Sequence, residues 1–165
     1  MVVEVDDSGW GDLLGGVVIV LRRAETDEMY SGLIPLEYFR YPNFKYQEYL
    51  GAATQVVLEG LETLKAPRDE QIRMCTGYIF TGAKEALRDL GYDVREAKIT
   101  GATQTLAEGE YVKSLVEMGV GTPRKVASMR SFNGFLSWVK EDLAARERYV
   151  KTGWSSWNKY RGCQD

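Results

Sequence analysis

Two adjacent carboxylates, Asp6 and Asp7, end a short β-branched run, Val3-Glu4-Val5, and enter the glycine-rich turn Ser8-Gly9-Trp10-Gly11. Gly15-Gly16 then opens a second apolar run, Val17-Val18-Ile19-Val20. Alternation along a strand sends Asp6 and Asp7 to opposite faces until the chain bends at Ser8-Gly9. Acids at a strand end, where backbone turns and solvent enters, suit oxygen-ligated metal binding better than a packed interior does. The competing reading is a hairpin whose Asp, Ser and Gly are only turn formers, with Asp7 capping the Ser8-Gly9 turn.

Exclusions narrow the chemistry. The chain contains no histidine, which removes an imidazole base, a Ser-His-Asp triad and any zinc site needing imidazole. Its two cysteines, Cys75 and Cys163, make no disulfide framework and read as reduced thiols. Chemistry must then rest on carboxylates, Lys, Tyr or Ser, with a hard metal held by oxygen. At 165 residues the chain is long enough for one well-buried domain. The longest apolar stretch near the start, Leu13 to Leu21, includes two glycines and reads as a strand, not a membrane span. No basic region or cleavage site precedes it, so the expected location is cytoplasmic.

The elements that must position these carboxylates follow from periodicity. Strands are expected at 1–5, 14–23 and about 28–39, joined by short connections that favour antiparallel neighbours. Pro35 marks the third as an edge or a bulge. Asn43 offers a cap for a long helix over about 44–65, with Tyr49, Ala53, Val57, Leu61 and Leu64 at helical spacing. A strand at 71–76, a helix at 78–90, a strand at 94–100 and a helix at 105–118 come next. Gly119 and Gly121-Thr122-Pro123 break the chain before a final helix over about 131–150. The order βββαβαβα implies an α/β fold: a mixed five-stranded sheet flanked by helices, plus a C-terminal helix. Residues 1–120 form the body, and 121–165 a C-terminal helix and basic-aromatic tail on the same domain.

That layout, with the opening Val-Glu-Val-Asp6-Asp7-Ser8-Gly9-Trp10-Gly11 and Gly15-Gly16 before an apolar strand, resembles the ribonuclease H-like superfamily. The opening is similar to that of type-two ribonucleases H, which run strand, Asp-Glu-Ala-Gly-Arg-Gly, then a glycine-led apolar strand. Asp6 and Asp7 match the first two metal-binding carboxylates of that family. Ala97-Lys98-Ile99-Thr100-Gly101 before a helix carrying Glu108 is similar to the end of the bacterial Holliday-junction resolvases. Trp10 stands where the type-two enzymes have Arg, and Asp12 where they have Pro. Met74-Cys75-Thr76-Gly77 lacks the acid that many members of the superfold place after the fourth strand.

The resemblance implies two-metal phosphodiester cleavage, which needs three or four oxygen ligands around ions about 3.5–4 Å apart. The expected ion is Mg²⁺ or Mn²⁺, and the expected ligands and catalytic residues are Asp6, Asp7, Glu48 and Glu108. Glu48 falls near the start of the long helix, where related enzymes often supply an acid. It shares a polar stripe with Gln55 and Glu59, so a solvated face is the alternative. Glu108 is read on the buried stripe of the third helix, three and four residues before Tyr111 and Val112, while Glu110 aligns with Ser114 and Glu117 towards water.

Charge is uneven: residues 1–120 hold 12 Lys/Arg against 20 Asp/Glu, net −8, and residues 121–165 hold 9 against 4, net +5. In the tail, Lys151, Trp154, Trp157, Lys159, Tyr160 and Arg161 interleave cations with aromatics. Such a pattern can stack single-stranded bases and meet phosphate; equally it can anchor a terminal segment or join a second copy in a homodimer. The leading expectation is a divalent-metal-dependent nuclease acting on DNA or an RNA–DNA hybrid. Its alternative is an inactive module of the same fold that binds nucleic acid or protein. A single domain of an actin-like ATPase ranks last, because such enzymes usually pair two domains of this type.

Overall fold

The computed structural model describes residues 1–162; Cys163 lies outside them. Strands β1 (Val2–Ser8), β2 (Val17–Arg23), β3 (Met29–Ile34), β4 (Gln71–Met74) and β5 (Asp93–Glu96) form one sheet in the order β3-β2-β1-β4-β5. β1 pairs antiparallel with β2 and parallel with β4; β2–β3 is antiparallel and β4–β5 parallel. This mixed α/β sheet is the ribonuclease H-like arrangement. β1 sits centrally, so its carboxyl end opens beside that of β4, the edge at which open α/β sheets bind ligands.

β2 is apolar on both sides because both faces are covered. Val17, Ile19 and Leu21 face one layer with Val3 and Val5, built from α1 (Glu48–Thr63) and α2 (Thr81–Asp89) through Val57, Leu61 and Leu87, with Phe80 from the 3₁₀ turn before α2. Val18 and Val20 face the other, where α3 (Ala102–Met118), α4 (Pro123–Met129) and α5 (Phe132–Glu141) bring Tyr111, Val126, Phe135 and Val139. Two short helices, α6 (Leu143–Arg146) and α7 (Trp157–Gly162), complete the α-helices of the described residues. Among the described residues no helix is long and apolar enough to cross a membrane.

Several boundaries move for local reasons. The third strand stops at Ile34, since Pro35 cannot donate to the ladder, and Leu36–Phe39 form a 3₁₀ turn. The long helix starts at Glu48: Gln47, with φ of 56°, separates it from a 3₁₀ turn over Asn43–Tyr46. Asn43 caps nothing there; its amide donates to the Glu37 carbonyl. The stretch read as a break holds α4, capped by Thr122 with Pro123 in its first turn, a helix start. The expected helix over 131–150 is cut at Asp142, whose side chain caps α6.

Candidate metal centre at the end of β1

Asp6 shares a face with Ser8, towards α3, and Asp7 shares one with Val3 and Val5, as strand alternation requires. The two carboxylates nevertheless converge around the strand end. One oxygen of Asp6, one of Asp7 and the Sγ of Cys75 all lie within 4.8 Å of one another. Cys75 follows β4 directly and is held there by its N–H, which donates to the Val5 carbonyl at 3.0 Å.

The turn after β1 is fixed from below. Gly9 has φ of 112°, and a Cβ there would stand 2.7 Å from the Gly16 carbonyl and 2.8 Å from the Tyr111 ring. Tyr111 donates its hydroxyl to the Leu14 carbonyl at 2.6 Å. Arg130, stacked 4.6 Å over the Tyr111 ring, donates to both oxygens of Asp12 and to Ser8 Oγ at 2.8 Å. Lys151 Nζ donates to the Asp12 and Leu14 carbonyls, each at 2.8 Å. Burial pushes the Lys151 amine down to about 7, against the pull of the Asp12 charge. Sequence reasoning missed Arg130, and took Tyr111 only for a core residue. Nothing local in the sequence marks Arg130, which sits 118 residues from the aspartate it holds.

Above this floor lies an open cleft of about 370 Å³ whose walls include Asp6, Asp7, Cys75, Lys98, Gln104, Glu108 and Arg130. Burial raises the Asp6 carboxyl, and the charges of Glu108 and Glu4 add to it, while the Asp7 N–H and the Cys75 thiol oppose. Burial, followed by the charge of Asp6, pushes Asp7 up to about 6. Burial also raises the Cys75 thiol, which therefore keeps its proton at neutral pH. Crowded carboxylates of this kind are relieved by a bound cation.

A stability consequence follows with a definite sign. A carboxyl that holds its proton more tightly folded than unfolded stabilises fully below the unfolded value, and that contribution is lost as pH rises through about 6. Asp7→Asn removes the charge, so the metal-free variant is expected to be more stable than wild type by about 2 kcal/mol at pH 7.5 and equal to it at about pH 3. Chemical denaturation in EDTA at the two pH values measures this; equal stability at pH 7.5 contradicts it.

The other expected residues divide. Glu108 is on the cleft wall, but not from the buried stripe. α3 buries Thr103, Ala107, Tyr111, Ser114 and Leu115, whose small members let it lie close on the sheet, and Glu108 stands exposed on the flank beside Gln104. Glu110 is half-buried instead, near Ser31. Glu48 is exposed in the first turn of α1 and is not among the cleft-lining residues. In the tail, Lys151 and Trp157 are buried, so neither meets solvent-borne phosphate. Trp154 and Tyr160 pack on Phe132 with ring centroids 5.7 and 5.1 Å away, anchoring the segment to the domain. Lys159 and Arg161 remain exposed.

No protein-family model and no curated protein matches the sequence. Among solved structures the chain is similar to the catalytic core domain of BIV integrase, at 15% identity and a TM-score of 0.40, over 98% of this chain and 85% of that one. The fold assignment stands on strand order and direction, independently of that likeness.

Proposed function

We propose that the chain is a divalent-metal-dependent nuclease that hydrolyses phosphodiester bonds in structured DNA or an RNA–DNA hybrid. The observation that carries this reading is the convergence of Asp6 and Asp7 at the mouth of an open cleft, with donor atoms within 4.8 Å. The donor set suits a hard ion: two carboxylates from successive residues, with Glu108 lining the same cleft and room for water ligands. When bound, Mg²⁺ or Mn²⁺ acidifies water and stabilises the leaving oxygen. Asp6 and Asp7 would hold the ion, and Glu108 lines the same cleft as a further carboxylate. Lys98, exposed on the cleft rim, offers a cation to the phosphate, while Arg130 holds Ser8 and Asp12 in place. Glu48 keeps at most an outlying role in this reading.

One observation favours the inactive module: Cys75, with its proton retained, stands where a further carboxylate would complete the oxygen set. A thiol is a poor ligand for Mg²⁺. Cys75→Asp is therefore expected to strengthen Mn²⁺ binding by about tenfold and to raise cleavage with it, since it adds an oxygen donor beside the existing pair. Calorimetric titration with Mn²⁺ reads the first effect and a cleavage assay the second. Absence of Mn²⁺ binding by wild type, with retained affinity for nucleic acid, selects the module.

A further inference from the structure

Three cavities on one side of the molecule are joined by two shared indole rings. Trp10 belongs both to the carboxylate cleft and to a neighbouring cavity of about 220 Å³. Trp154 belongs both to that cavity and to a wider groove of about 620 Å³. We propose that a single-stranded segment of the substrate leaves the carboxylate cleft across Trp10, passes Trp154 and runs into the groove beside Lys45 and Arg161. The proposal rests on the nuclease reading for its starting point.

The chemistry changes along this path as a nucleic-acid strand requires. Trp10 is 37% exposed although Phe39, Tyr49 and Phe44 brace it, with ring centroids 6.2, 5.3 and 6.3 Å away. An indole held rigid and left partly open to solvent is a stacking platform. Phe39, Phe44 and Trp154 wall the small cavity with further rings, and Asp12 and Lys151 give it a polar end. Trp154 is fixed by its indole N–H, which donates to the Lys151 carbonyl, and by edge contact with Phe132. Beyond it, Arg40, Lys45 and Arg161 face one carboxylate, Glu147, in the groove. That basic stretch stands out against a body whose first 120 residues carry net −8.

Ring faces select an unpaired strand. Bases in a duplex are stacked on their neighbours, whereas unpaired bases offer free faces to aromatic side chains. A ring-lined cavity of 220 Å³ admits a splayed base and excludes a duplex. Arg40 has its guanidinium committed to the carbonyls of Glu147 and Val150, and Arg161 donates its Nε–H to the Glu147 carboxylate, so Lys45, exposed over the Tyr46 ring, is the freest phosphate contact.

The test is binding of labelled oligothymidylate and of a duplex of equal length, followed by fluorescence anisotropy in EDTA. Without metal, strand binding is read separately from cleavage. The wild-type protein is expected to bind the single strand more tightly than the duplex. Trp154→Ala and Lys45→Glu are each expected to weaken single-strand binding on the order of tenfold, with a shallower salt dependence for Lys45→Glu. If Trp154→Ala does not fold, Lys45→Glu decides alone, because its side chain is exposed. Equal affinity for duplex and single strand, or wild-type affinity in Lys45→Glu, overturns the proposal. Lost binding pattern with intact cleavage removes the strand path and leaves the nuclease reading; intact pattern with no cleavage under Mn²⁺ removes the nuclease reading.

Discussion

Asp6→Asn is expected to reduce Mg²⁺- or Mn²⁺-dependent cleavage of structured DNA or an RNA–DNA hybrid at least about a hundredfold while leaving the fold intact. Losing a direct ligand costs more than losing a supporting residue, for which 10- to 100-fold is usual. The amide has nearly the shape of the carboxylate and can still accept from the Cys75 thiol, so packing at this 7% exposed position survives. Removing one of two adjacent like charges also eases the burden on Asp7. Circular dichroism and thermal melting in EDTA are therefore expected to match wild type or improve on it. Unchanged cleavage by a folded Asp6→Asn removes this site from the mechanism.

Lys151→Ala is expected to destabilise the protein by about 3 kcal/mol. Its Nζ satisfies the Asp12 and Leu14 carbonyls in a buried setting. Leu14 keeps the Tyr111 hydroxyl after the change, but the Asp12 carbonyl loses its amine donor, and the aliphatic stem leaves a void. The segment it pins follows directly from the carboxylates, so residual cleavage should fall as well. Lys98→Ala gives the contrast. Lys98 is exposed on the cleft rim, and its loss is expected to alter stability by less than about 0.5 kcal/mol while weakening cleavage. Urea denaturation separates the two; a loss below about 1 kcal/mol for Lys151→Ala contradicts its assigned role.

The contrast between these two lysines marks where the sequence was legible. Strand order was readable because β2 is apolar on both faces and the first three strands follow one another through short connections. The carboxylates were readable because Asp6 and Asp7 end a β-branched run at a glycine turn. Their convergence with Cys75 depends on the parallel β1–β4 pairing, which brings together residues some 70 positions apart. Local periodicity carries no trace of such a contact. The orientation of α3 was misjudged because a stripe was traced through its large apolar side chains. Thr103, Ala107 and Ser114 join Tyr111 and Leu115 on the buried face, and that rotation moves Glu108 to the flank. Lys151 reads as a surface cation from its neighbours Trp154 and Lys159. Only the bridge between Leu14 and Val150 reveals that the chain there runs beside the glycine turn and buries it.

A crystal soaked in millimolar Mn²⁺ and recorded at the manganese absorption edge tests the central assignment most directly. The account predicts an anomalous peak in the cleft, bonded to oxygens of both Asp6 and Asp7 and facing Glu108. Strong anomalous signal elsewhere with none between those two carboxylates contradicts it.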